Sequence, residues 1–117
     1  MVRIFVTTEK NELISQYSKI CERNNYAFNF SSDAKIIESM ISAETPDIIL
    51  IDDSTPTIDT KSLVKTIKQI CETSILILIT ENNDIDKDLL KTINAIIPTQ
   101  YSECLIEATI SINLRMK

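Results

Sequence analysis

Two short stretches of this chain contain only aliphatic residues, Ile48–Ile51 and Ile75–Ile79. A strand that is apolar on both faces must be covered on both faces. A parallel sheet sandwiched between helices meets that condition. Segments of helical period lie before and after both runs, and right-handed crossovers between parallel strands then force a doubly wound sandwich.

The rest of the chain follows the same alternation. Arg3–Thr7 reads as a first strand, and Asn11 is placed to cap a helix whose apolar face is Leu13, Ile14, Tyr17, Ile20 and Cys21. Asn24 and Asn25 end that helix, asparagine being the residue after glycine that best tolerates a left-handed exit. Tyr26, Phe28 and Phe30 alternate with Ala27 and Asn29 as a second strand. Ser31–Asp33 caps a second helix carrying Ile36, Ile37, Met40 and Ile41. Leu63, Val64, Ile67, Ile70 and Cys71 mark a third helix, and Asp84 is expected to cap a short fourth one with Leu89, Leu90 and Ile93. Ala95–Ile97 is a brief fifth strand, and Ser102 opens a last helix with Leu105, Ile106 and Ile110. The expectation is one α/β domain over residues 1–117, a (βα)5 doubly wound, five-stranded parallel sheet in a three-layer sandwich.

Composition then removes whole classes of function. The chain has no glycine, so it can build neither a Walker-type phosphate loop nor a dinucleotide fingerprint. A flavodoxin-like cofactor binder would have to use Val6–Asn11 as its phosphate loop, and that loop also lacks glycine. Without histidine, Ser-His-Asp and Cys-His catalysis are unavailable in their usual forms. Cys21, Cys71 and Cys104 are far apart and form no CxxC pair, so they read as small reduced core residues rather than a zinc or redox site. Net charge is −5 with scattered lysines, which gives no basic stripe for nucleic acid. No apolar run approaches the roughly 20 residues that cross a membrane, and Met1–Val6 has no extended apolar signal region. A cytoplasmic location is the expectation.

In doubly wound sheets the working crevice lies beyond the carboxyl ends of the strands. The residues at issue are Thr8 and Glu9, Asp52 to Ser54, Thr80 and Glu81, and Pro98 to Tyr101. Glu9 and Asp52 are expected to converge there, with Asp53 close behind. Neighbouring carboxylates repel, which raises a pKa or recruits a hard cation such as Mg²⁺. Thr80 places a hydroxyl at the rim. Each residue also has a plainer reading: Asp52 and Asp53 as solvated turn formers, Glu9 as an acid in a first helical turn, Thr80 as an ordinary strand end.

The stretch PDIILIDDSTPTID, Pro46 to Asp59, resembles the receiver domain of bacterial response regulators: Pro-Asp, four apolar residues, an acceptor Asp, three residues, then Pro. The order of elements fits a receiver over essentially the whole chain. The resemblance implies a CheY-like, flavodoxin-like fold and a signalling rather than enzymatic role in a two-component phosphorelay. It implies Asp52 as phosphoacceptor from a histidine kinase or phosphotransfer protein. It also implies Mg²⁺ held by Glu9, Asp52 and the Ser54 carbonyl, Thr80 as switch hydroxyl, and Asp53 and Pro56 as loop residues, with Asp59 the acid that follows. Two departures stand out. The acidic pair after the first strand is Thr8-Glu9, and no lysine occurs between Lys91 and Lys117 to serve as the switch lysine. The other reading is therefore a phosphorylation-independent pseudo-receiver, an interaction or homodimerisation module.

Overall fold

The computed structural model describes residues 1–116; Lys117, the end of the expected domain, lies outside the described residues. The strands are β1 (Arg3–Thr7), β2 (Ala27–Ser31), β3 (Ile48–Asp52), β4 (Ile75–Ile79) and β5 (Ala95–Ile97). Between and after them come α1 (Asn11–Asn24), α2 (Ala34–Ala43), α3 (Thr60–Ile70), α4 (Lys87–Thr92) and α5 (Glu103–Arg115). The sheet is parallel throughout, in the order β2-β1-β3-β4-β5. The two all-aliphatic strands, β3 and β4, sit at its middle and are buried along their whole length.

Strand alternation divides the core in two. Ile4, Val6, Ile48, Leu50, Ile77 and Ile79 face one side, packed by Leu13, Tyr17 and Ile20 of α1 and by Ile106 and Ile110 of α5. Phe5, Ile49, Ile51, Leu76 and Leu78 face the other, packed by Ile37 and Ile41 of α2 and Leu63, Val64 and Ile67 of α3. This is the doubly wound, three-layer sandwich expected from the sequence.

Local signals act mostly where anticipated. Asn25 adopts a left-handed φ of 58° and closes α1, a conformation asparagine reaches more easily than most residues. Asp33 caps α2 through the N–H groups of Lys35 and Ile36, and Ser102 caps α5 through that of Leu105.

Several expectations are corrected. Asp86, not Asp84, caps α4, because the helix begins at Lys87, where Leu89 and Ile93 pack on the core while Leu90 stays exposed. Asn11 is already helical and Lys10 holds the N-cap position without a side-chain cap. The second strand is shifted one residue, to Ala27–Ser31, and as an edge strand leaves Phe30 exposed. Cys21 and Cys71 are buried, with burial pushing the Cys21 thiol up to about 11. Cys104 instead faces outward, because it lies beside rather than on the Ile106–Ile110 face of α5. Ile36, Ile70 and Leu105 are likewise exposed at the margins of their helix faces.

Candidate functional site

The same alternation decides which polar side chains meet at the carboxyl edge. Thr8 and Asp52 follow Val6 and Leu50 in phase, so both turn toward the α1/α5 side. The Thr8 hydroxyl donates to Asp52 Oδ2 at 2.7 Å and accepts the Lys10 N–H at 3.1 Å. Asp52 Oδ1 accepts the Ser54 N–H at 3.1 Å and the Ser54 hydroxyl at 2.6 Å. A longer bond from Thr55 Oγ1 reaches Oδ2 at 3.3 Å. An ionised carboxylate offers about four lone-pair positions, and these four donors occupy them. Asp52 is 0% exposed.

Burial alone would raise the Asp52 pKa and is the largest influence on it. The Ser54 and Thr8 hydroxyls, the Ser54 N–H and the Lys10 charge together outweigh burial and hold the carboxyl below the usual aspartate value. Tyr17 of α1 is also fully buried; its phenol is driven up first by burial and then by the Asp52 charge. Its hydroxyl has no hydrogen-bond partner among the described residues.

Asp53 lies in a different setting. The Thr80 hydroxyl donates to its carboxylate and accepts the Asn82 N–H at 2.9 Å. Glu81 accepts the Thr99 N–H at 2.6 Å, tying the end of β4 to the loop before α5. A cleft of about 490 Å³ opens here, lined by Lys10, Asp53, Ser54, Thr80, Glu81 and Gln100 among others.

The donor set fits Mg²⁺ poorly. This small, hard cation needs oxygen ligands in near-octahedral array, usually including one or two carboxylates. The lone pairs of Asp52 are taken by hydroxyls and an amide, and Asp53 is engaged by Thr80. From the loop after β1 it is Thr8 that reaches Asp52, whereas Glu9 is exposed and makes no hydrogen bond to it. Among the described residues no group of three or more His, Cys, Asp or Glu is arranged to hold a metal ion.

No protein-family model and no curated protein matches the sequence. Solved structures do match the backbone. The CheY-like receiver domain from Methanospirillum hungatei JF-1 superposes with a TM-score of 0.88 at 16% identity, covering 99% of this chain and 95% of that one. The N-terminal domain of the nisin resistance regulator NsrR gives 0.82 at 19% identity, over 96% and 97% of the two chains. A CheY-like receiver domain from Methylobacillus flagellatus gives 0.84 at 14% identity, over 95% and 97%. The chain has the receiver fold.

Within the receiver fold, Asp52 ends the third strand and Thr80 follows the fourth, as the sequence resemblance implied. Thr8, Asp52, Asp53, Ser54 and Thr80 come together at the strand ends. Pro56 and Asp59 do not join them: both are exposed, and Asp59 accepts a hydrogen bond from Ser62 Oγ at 2.9 Å near the start of α3. Sequence reasoning missed Thr55, Lys10 and Tyr17. For Thr8 the signal was available in the phase of β1, since it shares a face with Asp52. For Lys10 and Tyr17 the sequence carries no comparable mark, because their proximity to Asp52 depends on how α1 is set against the sheet. Among the described residues no helix is long and apolar enough to cross a membrane.

Proposed function

We propose that this chain is a receiver-type signalling domain that works by protein–protein contact, with Asp52 as a structural carboxylate rather than a phosphoacceptor. The observation that carries this reading is the state of Asp52, fully buried with its acceptor positions filled by Thr8, Ser54 and Thr55. A carboxylate held below its usual pKa by the Ser54 and Thr8 hydroxyls, the Ser54 N–H and the Lys10 charge is a weak nucleophile. An incoming phosphoryl dianion would also meet Asp53 and Glu81, with Lys10 as the counter-charge at the cleft. Contact with another protein is supported by the exposed apolar side chains Leu90 of α4, Ile96 of β5 and Leu105 and Ile112 of α5. Exposed apolar side chains such as these gain by being covered in a contact.

A second reading keeps Asp52 as acceptor from a histidine kinase or phosphotransfer protein, with Thr80 as its switch. One observation favours it: the cleft bounded by Ser54 and Thr80 is open and large enough for a phosphoryl group. Intact-mass measurement after incubation with acetyl phosphate and Mg²⁺, beside Asp52→Asn, separates the two. The expected result is no adduct on either protein. A one-phosphoryl adduct on the parent and none on the variant would overturn the proposal and make Asp52 the acceptor.

A further inference from the structure

The strand β2 ends the sheet on the side away from β5, and among the described residues it pairs with β1 alone. Its outer side therefore presents backbone polar groups without a ladder partner. Register shows which ones. Ala27 donates its N–H to the Val2 carbonyl, and successive residues of a strand direct N–H and C=O to alternate sides. Ala27, Asn29 and Ser31 thus address β1, while Phe28 and Phe30 turn both groups outward. The next residues in that phase are already engaged. Tyr26 donates its N–H to the Cys21 carbonyl, and the Ser32 carbonyl accepts Thr57 Oγ1 at 3.0 Å.

The usual protections of an edge are missing. Ala27–Ser31 carries no charged residue and no proline, and its pairing with β1 runs in unbroken register without a bulge. Phe28 and Phe30 instead stand on one face with ring centroids 5.8 Å apart, Phe28 half-buried and Phe30 exposed.

This row is self-complementary about Asn29. In antiparallel pairing on a two-fold axis there, Phe28 of each copy lies opposite Phe30 of the other, and each such pair exchanges both backbone bonds. The rings then form cross-strand aromatic pairs on a single face. Asn29 meets Asn29 of the second copy in the non-hydrogen-bonded position between them. A slip of two residues either way sets a phenylalanine against Ser32 or Tyr26, whose carbonyl and N–H are taken. We infer that β2 is a self-association edge, through which two copies of this chain join their five-stranded sheets into one continuous sheet. The inference does not depend on the state of Asp52.

The test is sedimentation velocity of the full chain under reducing conditions. Concentrations run from about 10 µM to about 1 mM, the range in which contacts of small area associate. Wild type should move from monomer to dimer. Phe30→Pro removes an outward N–H and leaves the β1 ladder intact, a change that edge strands tolerate. Phe30→Lys places a charge among the rings. Both should weaken dimerisation at least about tenfold while melting cooperatively, and Ile96→Lys, at the opposite edge, should dimerise as wild type does. Should Phe30→Pro fail to fold, Phe30→Lys decides.

Cross-linking tests the register. In a Cys104→Ser background, Asn29→Cys should give a disulfide-linked dimer with oxidised glutathione, because opposed residues lie about 4.5 Å apart at Cα, within disulfide reach. Ser31→Cys should not, since its two copies would stand more than about 10 Å apart. A wild-type protein that stays monomeric throughout overturns the inference. So does dimerisation that survives Phe30→Lys, dimerisation that is lost in Ile96→Lys, or equal cross-linking at positions 29 and 31.

Discussion

The end of β3 and the edge formed by β5 with α4 and α5 are built on opposite terms. At the first, polar groups are paired whether buried or not: the buried Asp52 takes four hydrogen bonds, the half-buried Asp53 takes Thr80, and the exposed Glu81 takes the Thr99 amide. At the second, apolar groups that could be buried are left in solvent, with Leu90, Ile96, Leu105 and Ile112 each between 44% and 51% exposed. A saturated polar site resists new ligands, since any newcomer must displace hydrogen bonds already made. An uncovered apolar edge gains by being covered. The contrast separates a strand-end site closed by its own hydrogen bonds from an edge whose apolar side chains are left uncovered.

Substitution at Asp52 should give the largest effect. Asp52→Ala strands the Thr8 and Thr55 hydroxyls in a buried site and is expected to cost about 3 kcal/mol, measurable by urea unfolding. A loss below about 1 kcal/mol would mean that the carboxylate does not organise the site. Acid provides a subtler form of the same test. The folded-state pKa of Asp52 lies below its unfolded value, so its contribution is complete above the unfolded aspartate pKa and is lost as pH falls through the lower folded one. Unfolding free energy in the acid range should therefore fall less steeply with pH in Asp52→Asn than in the parent.

A smaller change is expected at Thr8, where valine keeps the shape and removes the hydroxyl. Thr8→Val deprives Asp52 of one donor and the Lys10 N–H of its acceptor, for a loss of about 1–2 kcal/mol. If Thr8→Val proves neutral, the link between the β1 turn and β3 is incidental. At the β5 edge, Ile96→Lys or Leu105→Lys should change stability by less than about 0.5 kcal/mol. The same variants should weaken association through that edge, read by binding to a candidate partner. A large stability loss there would show that these side chains belong to the core and would erase the comparison.

Much of this architecture was legible in the sequence. Ile48–Ile51 and Ile75–Ile79 are apolar on both faces, and that property alone demanded a covered parallel sheet. The capping aspartate and serine before α2 and α5, and the left-handed asparagine after α1, are local effects settled by a few neighbouring residues. Strand phase also fixed which face Asp52 and Thr8 share. These features depend on short-range sterics and on period, so they survive without knowledge of the fold.

Other features were decided only by packing. Asp84 and Asp86 are equivalent as caps in the sequence, and the choice fell to whichever start of α4 seats Leu89 and Ile93 on the core. Glu9 and Thr8 both follow β1, and although strand phase already put Thr8 on the Asp52 face, the bond between them required the register of β1 on β3. Lys10 reached the cleft, against the preference of its own helix, because the turn is pinned to β3 by residues 44 positions away in the chain. Local composition therefore determined the sheet and its layers. Which charges meet at the sheet's edge was determined by long-range contacts, because a side chain's electrostatic neighbours are set by the placement of whole elements and not by adjacent residues.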